Sequence, residues 1–190
     1  MLDTQSYQWI NDERYSAITL AIIEGATEED VIRAYGGNPG TSQTATFDES
    51  FNTFDEGQPF YVQTFSADSF VVAIENNGYH GNDARIALRA VGTRGRFISV
   101  KWSHAGPDYV LYIVDGKIEA EFDILSIALG GQGIGTVPDW VNLVDWSADE
   151  TRAPYLALLG HVMGVQVREE WITTPHRTTV IPELYSIAGL

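Results

Sequence analysis

Apolar and polar positions alternate most clearly between Phe70 and Phe122, and that stretch sets the expected architecture. Phe70-Val71-Val72-Ala73-Ile74-Glu75 reads as a strand, and the polar segment from Asn76 to Gly81 reads as a turn. Residues 60–65 precede it across the short connection Ser66-Ala67-Asp68-Ser69, so the two runs are expected to pair as a hairpin. Residues 96–102 give a third strand. Residues 109–114 and 117–122 are joined by Asp115-Gly116, which predicts a tight hairpin because both turn positions need φ above zero. The sum is a meander of five strands, interrupted once by a helix over 82–90 that Asn82 would cap.

Helical spacing dominates elsewhere. Tyr7, Ile10, Tyr15, Ile18, Ala21 and Ile22 predict helix across much of residues 6–35, with a break at Gly25. A second short helix begins after Thr27, with Asp30 as its capping partner, and Gly36-Gly37-Asn38-Pro39-Gly40 stops it. Phe47, Phe51 and Phe54 are spaced four and three apart, which predicts a short helix with a core-facing stripe. Residues 123–128 continue the chain off the sheet, and residues 138–146 form a short helix. Ser147-Ala148-Asp149-Glu150 opens the main C-terminal helix, which Gly164 ends, and the tail from 173 is extended. The fold class is α+β: one domain over residues 1–190, a single antiparallel sheet of about five strands flanked by N-terminal and C-terminal helices.

Charge changes the picture more than composition does. The chain carries 26 acidic and 11 basic residues, a formal net charge of −15. Such a field disfavours direct binding to nucleic acid or to an anionic membrane, and favours a protein partner that is basic or itself binds DNA. Plain solubility is the simpler use of the same charge. Residues 1–80 hold thirteen acids and two bases, whereas residues 81–105 hold Asp83 against Arg85, Arg89, Arg94, Arg96 and Lys101. That basic island faces a ligand or pairs with neighbouring carboxylates. No run approaches the length of a membrane span, no basic leader precedes an apolar run, and the expected compartment is the cytoplasm. The absence of cysteine removes disulfides and thiolate chemistry.

Candidate chemistry is sparse. His80 lies in the turn between Glu75 and Asp83, the one histidine with carboxylates close in sequence, and a hydrolase site would have to be built there as a concave pocket. His161 falls in an apolar helical run and is expected to pack on the core, while His104 and His176 have loop contexts. Glu119, Glu121 and Asp123 share one strand face with Lys117, as a solvated face would. The glycines of 130–135 lack the lysine, the Ser/Thr and the βαβ unit of a phosphate loop. No catalytic set, metal site or cofactor is expected. The binding residues expected instead are Glu75, Tyr79, His80, Asp83, Arg85, Arg89, Trp102 and Trp140, with the site at the Glu75–Arg96 end of the sheet.

Several short features together resemble an uncharacterised actinobacterial family, domain-of-unknown-function family 6461. They are Tyr7-x-Trp9, the helix after Thr27-Glu28-Glu29-Asp30, Glu75-x-Asn77-Gly78 with Gly81, the segment toward Arg94, Asp115-Gly116 before Phe122, and the helix end at Gly164-Val165. The resemblance brings no reaction or ligand. It implies mycelial bacteria or their phages as the setting, and there a small acidic protein would fit an inhibitor of a host defence or DNA-binding protein. The expected function is accordingly an acidic protein-binding module. A structural or virion-associated component is the second expectation, a hydrolase the third, and homo-oligomer formation is left open.

Overall fold

The computed structural model describes residues 1–104, 106–124, 137–146 and 152–187, together with the backbone of 134–135. Its centre is a strand where spacing predicts a helix. Ile18–Glu24 (β1) is buried along nearly its whole length, and alternate side chains enter two different cores. Ile18, Leu20 and Ile22 point one way, Ala21 and Ile23 the other. A strand covered on both faces loses its polar alternation, so spacing alone cannot separate it from a buried helix. Its β-branched Ile and Thr residues favour the extended form.

The remaining strands are β2 (Gln43–Ala45), β3 (Phe60–Ala67), β4 (Phe70–Asn76), β5 (Arg96–Trp102), β6 (Tyr109–Val114), β7 (Lys117–Asp123), β8 (Ile134–Gly135) and β9 (His176–Ile181). Among the described residues these nine form one antiparallel sheet in the order β2-β9-β3-β4-β1-β5-β6-β7-β8, the last being a two-residue edge. The single antiparallel sheet is as expected, but it has more strands than five and is no simple meander. β1 inserts between β4 and β5, with Thr19 opposite both Glu75 and Lys101. The tail does not run free: β9 inserts between β2 and β3. Both expected hairpins form. Asp115 (φ 47°) and Gly116 (φ 74°) make the tight turn between β6 and β7, whose register slips at Tyr112/Ile113.

Helices cover both faces. α1 (Glu28–Ala34) and α2 (Ala84–Val91) pack on Ala21, Ile23, Val71, Ala73, Phe97 and Leu111. α3 (Ala153–Met163), α4 (Glu170–Thr173) and the 3-10 segment Gln5–Asn11 lie on the other face. The Thr27/Asp30 capping box at α1 is present, whereas α2 is capped by Asp83 instead of Asn82. The phenylalanine helix does not form. Only the 3-10 turn Asp48–Ser50 does, because Asn52 accepts from Tyr61 N–H (2.7 Å) and donates to the Asn76 carbonyl (2.9 Å), stitching the segment to the strand ends. Phe47 is buried, but Phe51 and Phe54 are 49% and 54% exposed. Residues 138–146 likewise give a 3-10 segment, Asp139–Leu143, in place of an α-helix. The expectations for 125–133 and 147–150 lie outside the described residues.

Candidate binding site

The turn after β4 folds around one carboxylate. Glu75, 1% exposed, accepts hydrogen bonds from the backbone N–H groups of His80 (3.0 Å) and Gly81 (2.6 Å). Each of those amides is away from water, and losing its acceptor costs ~1–3 kcal/mol. The chain can wrap this tightly because residues 78 and 81 are glycine. A Cβ at Gly78 would collide with the Glu75 side chain, and one at Gly81 with the Tyr35 hydroxyl. Thr19, facing Glu75 from β1, closes the turn by donating to the Gly78 carbonyl (2.8 Å).

His80 is fully buried and joins this turn to the C-terminal segment. Nε2 donates to the Pro182 carbonyl at 2.9 Å, which fixes the proton on that nitrogen. Nδ1 lies 3.2 Å from Glu75 Oε2, in ion-pair contact but without the geometry of a formed hydrogen bond. An acceptor therefore stands beside each ring nitrogen, and the imidazolium is the form that suits both. Burial, the largest single influence, pulls the His80 pKa down, but the Glu75 carboxylate, the Pro182 carbonyl and the Asp83 charge together raise it by more, and the net direction is upward. Burial, then the nearby Glu75 charge, pushes the Tyr35 phenol well up.

Aromatic rings cover the outer side of this clamp. Tyr79 is half-buried, stacked on Phe54 at 5.8 Å and edge-on to Phe60 at 5.9 Å. Tyr185, 86% exposed, lies three residues beyond Pro182, whose carbonyl holds the His80 ring, and burial, then the nearby Tyr185 and Glu183, raises the Tyr79 phenol pKa. Asp55 and Glu56, which follow Phe54, and Glu183, two residues before Tyr185, are exposed.

The sequence-predicted residues therefore separate into groups. Glu75, Tyr79, His80 and Asp83 do come together at the end of β4, but Glu75 and His80 are enclosed, their polar atoms directed at backbone groups and Pro182. Asp83 caps α2 and holds Arg85 through two contacts, 2.7 and 2.9 Å. Burial raises the Asp83 pKa, the Arg85 guanidinium and the α2 amides lower it further, and it ends below the usual range. Arg89 stands away from this turn, lining a cavity of about 430 Å³ between α1 and α2 with Arg33 and Asp30. Trp102 is 1% exposed on the opposite face of the sheet, where its indole N–H donates to the Tyr15 carbonyl (2.7 Å); it is a packing residue. Trp140 packs edge-on to Tyr112 on that same far face. His161, expected in the core, is exposed. Spacing missed Phe54 and Tyr185. For Phe54 the signal was present but was absorbed into a helical stripe.

Two of the five basic residues of the island pair with carboxylates within the chain. Arg85 meets Asp83, and Arg96 meets Glu24 at 2.6 Å while donating to the Val162 carbonyl at the end of α3. Arg14, Arg33 and Arg177 likewise meet Asp12, Asp30 and Glu29. Among the described residues no cluster of three or more His, Asp or Glu side chains has metal-site spacing, and no helix is long and apolar enough to cross a membrane.

A family model, described as a family of unknown function (DUF6461), matches residues 2–184. No curated protein and no solved structure is matched by this chain.

Proposed function

Because the chain belongs to the DUF6461 family, whose function is unknown, its role has to be read from its own surface, and we propose that it is an acidic module that binds a basic protein. The observation that carries this reading is the disposition of the arginines. Among the described residues at least five of the eleven basic side chains are held in ion pairs within the chain, while the acidic excess stays at −15. Exposed carboxylates such as Asp48, Asp55, Glu56 and Glu183 thus set the field that an approaching molecule meets. A field of that sign speeds encounter with a cationic surface and repels phosphate backbones. A DNA-binding protein is the partner class with the strongest reason to accept it, and occupying such a protein's DNA site would make this chain an inhibitor.

The test is capture of partners on the immobilised native protein, followed by elution in steps of salt. Captured proteins of high isoelectric point that elute between about 50 and 500 mM salt, as screening shortens the reach of charge, and that duplex DNA displaces, are the expected result. Retention indifferent to salt would remove charge as the basis of binding. Salt-sensitive capture that DNA does not disturb would remove the inhibitor version alone.

A further inference from the structure

The geometry points to the place of contact and to the chemistry that fits it: an arginine-bearing segment of the partner docks on the surface made by Phe54, Tyr79 and Tyr185. This rests on the protein-binding reading above and deepens it. Three independent observations converge there.

First, the exposure is unusual for the residue types. Most large apolar side chains described are in the core, yet Phe54 and Tyr185 are 54% and 86% exposed, and half-buried Tyr79 stacks on Phe54. Aromatic side chains are the groups that most often anchor protein interfaces. Second, Phe54 holds a left-handed backbone, φ 60°, which a bulky L-residue adopts only at a cost of about 1–3 kcal/mol. Its ring lies edge-on to Phe60 (5.3 Å) and stacked on Tyr79 (5.8 Å), so the strain holds a phenylalanine at the surface. Third, the patch is preorganised. Tyr79 is adjacent to the buried His80, and His80 in turn holds the Pro182 carbonyl three residues before Tyr185. Both halves are thus fixed to one clamp, which reduces the ordering cost of binding.

The occupant follows from charge. Asp55 and Glu56 directly follow Phe54 and Glu183 lies two residues before Tyr185, all three exposed, while Arg85, five residues beyond His80, is already held by Asp83. An incoming guanidinium can lie over the Tyr or Phe face while its N–H groups reach those carboxylates. Arginine exploits both interactions better than lysine, because its planar fork stacks and is less strongly hydrated.

Short oligo-arginine and oligo-lysine peptides of matched length serve as probes, with affinity measured by calorimetry on the full chain. Oligo-arginine is expected to bind the tighter of the two. Phe54→Asn removes the ring but keeps a residue that tolerates positive φ, and Tyr185→Ala removes a side chain that is almost wholly outside the fold. Each variant is expected to weaken oligo-arginine roughly tenfold, about one lost cation–π contact, and to erase the preference over oligo-lysine. Glu170→Gln, an exposed carboxylate on α4, should change either affinity less than twofold, as a single exposed charge does. Wild-type affinity for oligo-arginine in Tyr185→Ala, whose folding is not in question, would overturn the docking surface and leave the module reading standing. Failure of both peptides to bind the native chain would overturn both together.

Discussion

His80 shows how much of this molecule depends on single side chains placed between two acceptors. The Pro182 carbonyl and the Glu75 carboxylate face its two ring nitrogens, Asp83 adds a more distant negative charge, and Phe60 and Tyr79 close the apolar sides. The folded state binds the His80 proton more tightly than the unfolded chain, where the ordinary value is about 6.5. Stability from this group is complete below that value and is lost as pH rises through the raised folded pKa. His176 has the opposite sign: burial lowers its pKa, so its contribution is present above about 6.5 and is lost as pH falls. The two mask each other. In a His176→Gln background the urea midpoint is expected to fall from about pH 6 to about pH 8, and adding His80→Gln should flatten the slope. A midpoint that rises with pH in the single variant would show that His80 is held neutral. The proximity of Glu75 to His80 was legible from five residues of spacing. That both point inward was not, because direction is decided by Gly78 and Gly81 wrapping the backbone onto the carboxylate, and by Pro182, a hundred residues away.

At the scale of elements, the hairpins were legible and the long-range insertions were not. Asp115-Gly116 and the β3–β4 connection carry local turn chemistry, so β3–β4 and β6–β7 follow from neighbouring residues alone. β1 and β9 each pair with strands far along the chain, and no local signal announces either. In β1 the cue was inverted, since a strand buried on both faces carries an apolar run broken only by Thr19, which spacing assigned to a helix. Phe51 and Phe54 failed for the complementary reason, because Asn52 between them is bonded to strand ends that a helix could not reach. Position in the sheet then sets local stability. β1 is hydrogen-bonded to β4 on one side and β5 on the other, while β2 is a three-residue edge paired only with β9. Native-state hydrogen exchange should therefore find the β1 amides from Thr19 to Ile23 opening only with global unfolding, at the free energy that urea denaturation gives. The amides of Gln43–Ala45 should exchange through local fraying at much lower cost. Comparable rates in the two strands would place the cooperative core elsewhere than β1.

The charge belongs to the molecule as a whole, and it acts on folding and on binding with opposite sign. Compaction brings an excess of fifteen negative charges together, and their mutual repulsion opposes the folded state. Salt screens that repulsion. It also screens the ion pairs of Arg14, Arg33, Arg85, Arg96 and Arg177, but these lie at or near the surface, where each contributes ~1 kcal/mol or less. Long-range repulsion among many like charges therefore outweighs a few short-range attractions. Raising sodium chloride from about 20 to about 200 mM, which shortens the Debye length to below ~10 Å, is expected to raise the thermal midpoint of the isolated protein by a few degrees. Over the same interval its affinity for a basic partner should fall, because there the screened interaction is attractive. The two trends measured on one preparation separate repulsion within the chain from attraction between chains. A thermal midpoint that drops with salt would mean that the arginine pairs, and not the acidic excess, dominate the electrostatics of the fold. In that event the field available to steer a partner would be weaker than the formal charge implies.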